Sequence, residues 1–172
     1  MYVIDNLLNN DTYKKFINIV EKELPYYPYV GKTSADEVDK FQFVHTFIDN
    51  GKSISNWENM PIEIVKNEML PIGQEVNILR AKLNCSTITK EHEVAKYHTD
   101  LINEGGKWLT AIYYLNDNNG YTEFENGKKV ESIGNRVVVF DGWEKHRAVS
   151  QTDTTFRFVM NINFKGELNA NI

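Results

Sequence analysis

A series of short strand signals runs from Glu75 to near the end of the sequence, and it limits the possible folds more than any other feature. Each signal is a run rich in β-branched and aromatic residues, and turn residues separate it from the next run. Many short strands at this spacing favour an antiparallel sandwich or jelly roll over a parallel α/β sheet. Asn126-Gly127, between two of the runs, is typical of a two-residue β-hairpin turn. The predicted strands are EVNILRAKL, AKYHTD, WLTAIYYL, YTEFE, KKVESI, RVVVFD, HRAVS and TTFRFVMNINF.

The sequence before Glu75 predicts two helices and one strand. Asn10-Asp11 can cap a helix through TYKKFINIVEKEL, whose apolar residues sit near helical spacing. Prolines interrupt the pattern in PYYPYVGKTS, FQFVHTFI alternates like a strand, and a second helix is predicted to begin at Pro61 in MPIEIVKNEML. No repeat, low-complexity run or linker divides the chain, so we predict a single domain over residues 1–172. Within it, residues 1–74 are expected to support a β-rich core at residues 75–168.

The composition is that of an ordinary soluble globular protein, with 41% hydrophobic and 25% charged residues. A formal net charge of −5 argues against an electrostatic footprint for DNA or RNA. No apolar stretch approaches the ~18 residues that a membrane span needs, so no membrane partner is predicted. The single cysteine, Cys85, cannot form an internal disulfide, and the N-terminal residues lack the pattern of a signal peptide. These features predict a cytoplasmic protein.

A histidine and an aspartate two positions apart, His98 and Asp100 in YHTD, form a candidate ligand pair. Side chains at i and i+2 of a strand point to the same face, so both can reach one ion. A second histidine, His146, follows in the strand HRAVS. Two histidines and one carboxylate form the facial set of non-haem iron(II) oxygenases, which leaves coordination positions open. A structural zinc site would offer four ligands, often thiolates. The alternative interpretation is that these histidines are hydrogen-bonded structural residues.

Arg157 stands between two phenylalanines in the apolar strand TTFRFVMNINF. An arginine in such a run is costly to bury without an anion. One interpretation is an internal salt bridge to a protein carboxylate. The other is a bidentate clamp on the carboxylate of a ligand.

The order of these landmarks resembles that of the iron(II)- and 2-oxoglutarate-dependent oxygenases. The resemblance is strongest to the prolyl 4-hydroxylase-like branch, which includes small bacteriophage and bacterial versions. It extends from Glu75 to Phe164 and rests on HTD, TAIYYLN, NGYTEF, GNRVVVFDGWEKH and the following arginine. It implies a double-stranded β-helix, a cupin-like jelly roll that is mainly β with N-terminal helices. It also implies iron ligands at His98, Asp100 and His146, with Arg157 binding the distal carboxylate of 2-oxoglutarate.

The same resemblance implies a hydroxylase that uses iron(II), oxygen and 2-oxoglutarate, releases succinate and carbon dioxide, and has ascorbate as a candidate reductant. Tyr114 falls on a tyrosine that donates its hydroxyl to the same carboxylate in some relatives. Strand parity puts Tyr114 on the inner face and Tyr113 outside, and Thr122 is a candidate lining residue of the pocket. A packing role for Tyr114 is the alternative.

Two positions depart from the pattern of many relatives. Where those relatives carry a tyrosine on the strand before the HxD motif, this chain has Ala81, which suggests a co-substrate pocket built with Lys82 or Asn84. Where they have two glycines before the xTxF element, this chain has Asn119-Gly120, so that only the second glycine is kept.

Other functions remain open at the level of sequence. The same scaffold supports demethylation, halogenation or ring formation, although halogenases typically lack the carboxylate ligand that Asp100 supplies. A non-catalytic jelly-roll module that binds a sugar or a protein partner is a further alternative. The primary substrate could be a peptidyl proline, another amino-acid side chain, a free amino acid or a nucleotide.

The remaining polar and aromatic candidates have simpler interpretations. His45 is expected to be a hydrogen-bonded core histidine, and His92 an exposed loop residue. Asp141 is expected to be a turn residue, with orientation of a metal ligand as the alternative. Trp143 either lines the substrate entrance or packs.

Overall fold

Alternating apolar residues place most strands of the chain in two antiparallel sheets. The computed structural model describes residues 1–30, 41–101 and 105–168. In this part of the chain the helices are Asn10–Lys22 (α1) and Asn59–Ile64 (α2). The strands are Tyr2–Ile4 (β1), Tyr27–Val30 (β2), Phe41–Asp49 (β3), Lys52–Ser53 (β4), Asn77–Thr87 (β5), Trp108–Tyr114 (β6), Tyr121–Phe124 (β7), Lys129–Glu131 (β8), Arg136–Asp141 (β9), His146–Val149 (β10) and Phe156–Lys165 (β11).

The major sheet has the strand order β1-β9-β6-β11-β5-β3-β2, with β4 paired to β3. The minor sheet has the order β10-β7-β8, and isolated bridges from Val94 and His98 extend it beside β10. Because the sheets pack face to face through apolar side chains, the architecture confirms the predicted jelly roll, mainly β with N-terminal helices. The residues between the sheets are Ile112, Tyr114, Phe124, Val130, Val138, Phe140 and Val159.

Apolar side chains on the opposite face of the major sheet form the larger core, under α1 and α2. Strand β6 is buried along its whole length, because it has the minor sheet on one face and the helices on the other. Tyr113 points away from the minor sheet, as parity predicted, but it is fully buried. Its ring centroid lies 6.1 Å from that of Phe16 on α1, and its hydroxyl donates to Asn135 Oδ1 at 2.7 Å.

The helices begin earlier than the sequence predicted. Asn9, and not Asn10-Asp11, caps α1, since its side-chain oxygen accepts a hydrogen bond from the Thr12 amide at 3.0 Å. Helix α2 starts at Asn59, two residues before Pro61, and continues as a π-helical turn over Val65–Met69. No helix among the residues that the structure describes is long and apolar enough to cross a bilayer.

Several strand predictions also need correction. β1 and β4 had no recognised signal, and the segment assigned to a proline break contains β2; residues 31–34 of that segment lie outside the described residues. AKYHTD forms no continuous strand; beside β10 it has an isolated bridge at His98, and the Ala95 amide donates to Ala148 O at 3.0 Å. The Asn126-Gly127 hairpin is present with a three-residue loop, because Phe124 N–H pairs with Lys128 O and only Gly127 adopts a positive φ, +84°.

Candidate metal centre

His98, Asp100 and His146 converge beside the space between the two sheets. His146 begins β10, and His98 lies opposite it, because each residue's amide donates to the other's carbonyl at 3.0 Å. Asp100 Oδ1 lies 3.7 Å from His98 Nε2 and 3.9 Å from His146 Nε2. One ligand atom from each of the three residues lies within 4.8 Å of the others. The structure therefore brings together the three residues that the HxD motif and His146 predicted.

Backbone carbonyls fix how both imidazoles are presented. Nδ1 of His146 lies 3.0 Å from Glu144 O, and Nδ1 of His98 lies 3.3 Å from Lys96 O. A carbonyl oxygen can only accept, so Nδ1 carries the proton in each ring and Nε2 keeps a free lone pair. His146 Nε2 is buried and lacks a hydrogen-bond partner among the described residues. Such an atom is costly unless it coordinates something, so the donor set fits a bound metal ion.

The electrostatics of the site favour the charge states that ligands need. Burial raises the pKa of Asp100, but the charges of His146, Arg80 and His98 outweigh it, and the net pKa lies below its ordinary value. Burial and the proximity of His146 lower the pKa of His98, against the opposing effect of Asp100. The centre is therefore set up as a carboxylate with a neutral imidazole, the states that bind a metal ion.

Asn163 and Arg80 hold the Asp100 carboxylate, and the sequence analysis identified neither of them. The Asn163 side-chain amide donates to Asp100 Oδ2 at 3.1 Å and to Thr110 Oγ1 at 2.9 Å. Its oxygen accepts from Arg80 Nε at 3.2 Å, and Arg80 Nη2 lies 3.5 Å from Asp100 Oδ1. Strand alternation from Arg157 puts Asn163 on the inner face, but its partner could be known only from the fold.

Replacing Asn163 by leucine is expected to weaken Mn(II) binding about 10- to 100-fold, because Asp100 would lose the donor that orients its carboxylate. Calorimetric titration of the purified variant with Mn(II) measures the effect. Asn161→Leu is the matched control, since Asn161 lies on the same strand face but makes no hydrogen bond to Asp100 among the described residues. Equal Mn(II) affinity in parent and Asn163→Leu would contradict a positioning role.

Arg157 lies at a cavity that also reaches both histidines. Arg157 is 6% exposed, and the cavity is lined in part by His98, His146, Thr122 and Arg157. No carboxylate in the described ranges forms an ion pair with its guanidinium. Within these ranges the structure therefore does not support the interpretation of Arg157 as part of an internal salt bridge. Its Nε lies 3.4 Å from Ser132 Oγ. Burial lowers the pKa of the guanidinium, a cost that a bound anion would offset.

Gly120 is required by the path of the Arg157 side chain. A Cβ at Gly120 would lie 3.2 Å from Arg157 Cδ, 3.0 Å from Val149 O and 2.9 Å from Asn118 Oδ1. Only glycine leaves room for all three, which gives a physical reason for the glycine kept in Asn119-Gly120.

Tyr114 and Thr122 lie beside Arg157 and contact each other. The Tyr114 hydroxyl donates to Thr122 Oγ1 at 2.7 Å, and the Arg157 guanidinium carbon lies 6.0 Å from the Tyr114 ring centroid. Burial raises the pKa of Tyr114 to about 12, so that it stays protonated as a donor. Thr122 accepts this bond, which leaves its own hydroxyl hydrogen free to point into the cavity.

The inner face of β5 differs from the sequence interpretation. Ala81 is fully buried in the larger core and lies outside the set of residues that line the cavity. Arg80, Lys82 and Asn84 alternate on the opposite face. Asn84 lines the cavity, and its Oδ1 is buried without a partner in the part of the chain described. Of the two predicted substitutes, Asn84 is the one at the cavity.

The remaining candidates are mostly structural. His45 is buried and its ring nitrogens lie 2.8 Å from Pro25 O and from Ser55 Oγ, so it is a hydrogen-bonded core residue as predicted. Asp141 accepts from the Trp143 amide at 3.0 Å, as a turn residue does. Trp143 is 43% exposed and lies outside the set that lines the cavity. His92 is exposed, with Nδ1 2.6 Å from Ser150 O.

Comparison with known proteins identifies the fold. Neither protein-family models nor curated protein sequences match the chain. An oxidoreductase of the 2OG-Fe(II) oxygenase family from Burkholderia pseudomallei has a TM-score of 0.69 at 12% identity, covering 98% of this chain and 86% of that one.

Two prolyl hydroxylases are also similar in structure. The prolyl-4-hydroxylase of Pseudomonas putida has a TM-score of 0.58 at 14% identity, covering 96% of this chain and 92% of that one. The viral collagen prolyl hydroxylase of Paramecium Bursaria Chlorella virus-1 has a TM-score of 0.54 at 12% identity, covering 96% and 94%. The chain therefore has the double-stranded β-helix fold of these enzymes.

Proposed function

We propose that the protein is an iron(II)- and 2-oxoglutarate-dependent dioxygenase. It would hydroxylate a C–H bond of its substrate, coupled to decarboxylation of 2-oxoglutarate to succinate and carbon dioxide. One observation carries the proposal: His98, Asp100 and His146 converge beside a cavity that also holds the buried Arg157. Three protein ligands leave positions open for co-substrate and oxygen, and a guanidinium suits a carboxylate. The likeness of fold to 2OG-Fe(II) oxygenases and prolyl hydroxylases supports it.

In this proposal each side chain has a defined task. Bound iron(II) supplies the activation of oxygen, with 2-oxoglutarate as the electron source and ascorbate as a candidate reductant. His98, Asp100 and His146 hold the metal, and the carbonyls behind the imidazoles keep both Nε2 lone pairs available. Arg157 binds and orients the distal carboxylate of 2-oxoglutarate. Thr122, whose oxygen is engaged by Tyr114, donates to the same carboxylate.

The domain division, the type of reaction, the substrate class and the cellular compartment belong to the same proposal. We treat residues 1–172 as one domain, in which residues 1–74 support a catalytic core at residues 75–168. The presence of Asp100 counts against halogenation and in favour of hydroxylation. The prolyl hydroxylases of similar fold make a peptidyl proline or another amino-acid side chain a reasonable substrate. The single, buried Cys85 suits a reducing compartment such as the cytoplasm.

Binding of the co-substrate analogue N-oxalylglycine separates an enzyme site from a binding module. Calorimetric titration of the metal-free and the Mn(II)-loaded protein is expected to show binding of N-oxalylglycine only when Mn(II) is present, because the proposed co-substrate site needs the metal at one end and Arg157 at the other. Binding that is equal with and without Mn(II), or binding in neither state, would contradict the proposal and favour a non-catalytic jelly roll.

A further inference from the structure

Lys82 is a cation on the inner face of the major sheet, beside the metal centre. It lies in β5, opposite Thr46 of β3 and Asn161 of β11. Arg80, two residues earlier on the same face, contacts Asp100. Lys82 is thus the next residue after Arg80 on this strand face, and Arg80 contacts the proposed metal ligand Asp100.

The ammonium group of Lys82 has no anionic partner in the described ranges. Its Nζ lies 5.1 Å from the centroid of the Tyr29 ring on β2, a cation–π contact with a residue that is 45% exposed. Burial and, to a smaller extent, the charge of Arg80 lower the pKa of Lys82 to about 8, against the opposing effect of Asp100. A cation in this position is destabilised until an anion joins it.

Lys82 lies outside the set of side chains that line the co-substrate cavity. Its neighbours Asn84 and Asn161 line that cavity together with Arg157, and Lys82 does not. Arg80 is already engaged by Asn163 and Asp100. An anion beside Lys82 would therefore be separate from the carboxylate that Arg157 binds.

We propose that Lys82, with the Tyr29 ring as a wall, binds an anionic group of the primary substrate, a carboxylate or a phosphate. This inference rests on the proposed function, because it takes the metal centre as the site of reaction. It narrows the primary substrate to acidic molecules, such as a peptide with an acidic side chain, a free amino acid or a nucleotide.

The test uses the full chain loaded with a substoichiometric amount of Mn(II) and saturated with N-oxalylglycine, so that the Arg157 end of the cavity is occupied. Acetate and methyl phosphate are titrated separately, and broadening of their NMR signals by bound Mn(II) is measured, with the Zn(II)-loaded protein as the diamagnetic reference. We expect saturable broadening of at least one anion and none of neutral acetamide. A preference for acetate indicates a carboxylate, and a preference for methyl phosphate indicates a phosphate.

Lys82→Met is expected to weaken the binding of that anion about tenfold, since a charge-assisted hydrogen bond is lost. Lys82→Arg should restore most of it. Lys129→Met is the matched control, because Lys129 also lies over a tyrosine ring, with Nζ 4.7 Å from the Tyr121 centroid, at the edge of the minor sheet. It should bind the anion like the parent.

Three results are distinguishable. Normal binding of N-oxalylglycine without saturable anion broadening in the parent overturns the role of Lys82 and leaves the proposed function intact. Unchanged anion binding in Lys82→Met, with N-oxalylglycine binding retained as evidence of folding, overturns it as well. Failure of the parent to bind N-oxalylglycine in the presence of Mn(II) instead overturns the proposed function.

Discussion

The His98→Ala variant is expected to form succinate from 2-oxoglutarate at less than about 1% of the parent rate, because it loses one of three metal ligands. Its Mn(II) affinity should fall with it. No other histidine, cysteine, aspartate or glutamate of the described residues belongs to this ligand cluster, so nothing replaces the missing imidazole. His98 is partly exposed, at 28% of its side chain, and its removal should leave the fold intact. Succinate is quantified by mass spectrometry, and Mn(II) binding by calorimetry.

His92→Gln is the control for this variant. His92 is an exposed histidine that lies outside the ligand cluster, and glutamine can still donate to the Ser150 carbonyl. It should keep both metal binding and succinate formation. A His98→Ala protein that binds Mn(II) as tightly as the parent would show that the imidazole is not a ligand.

The Arg157→Met variant is expected to raise the dissociation constant of 2-oxoglutarate about 100-fold in the Mn(II)-loaded protein. Removing one partner of a buried, hydrogen-bonded charge pair typically costs ~2–5 kcal/mol, and 100-fold lies within this range. Methionine fills much of the same volume, so the neighbouring apolar side chains keep their packing. Mn(II) affinity should change by less than about twofold, because Arg157 contacts none of the three ligands among the described residues. Calorimetry measures both constants.

Arg157→Lys gives the matched comparison. Lysine keeps the charge but loses the planar, bidentate contact, so its affinity for 2-oxoglutarate should fall between those of the parent and Arg157→Met. If Arg157→Met loses Mn(II) and 2-oxoglutarate binding to the same extent, Arg157 has a structural role instead.

The sequence predicted the metal ligands more completely than the residues around them. His98 and Asp100 could be paired because i and i+2 share a strand face, and His146 and Arg157 followed in a recognisable order. The environment of Asp100 could not be predicted, since Asn163 and Arg80 lie on strands that are far apart in the sequence. The two strands become neighbours only in the folded sheet. Hydrogen bonds of this kind leave no spacing pattern in the sequence.

Strand alternation and strand length explain the remaining differences. The sequence placed the missing tyrosine near Ala81 and named Lys82 or Asn84 as substitutes; Ala81 faces the larger core, and Asn84, on the opposite face of the strand, lines the cavity. The strands β1, β2 and β4 are too short to show a clear alternation of apolar and polar residues, and β1 also depends on pairing with β9, far along the chain. Strand β9 was predicted to the residue, and β11 to within two residues at either end.

Release of succinate from 2-oxoglutarate by the purified protein tests the central claim most directly. With iron(II), ascorbate and oxygen present, we expect succinate and carbon dioxide in equal amounts, and neither product when iron(II) or oxygen is withheld or when His98 is replaced by alanine. Absence of succinate with every candidate substrate, together with no metal-dependent binding of 2-oxoglutarate, would contradict the assignment of His98, Asp100, His146 and Arg157 to an oxygenase site.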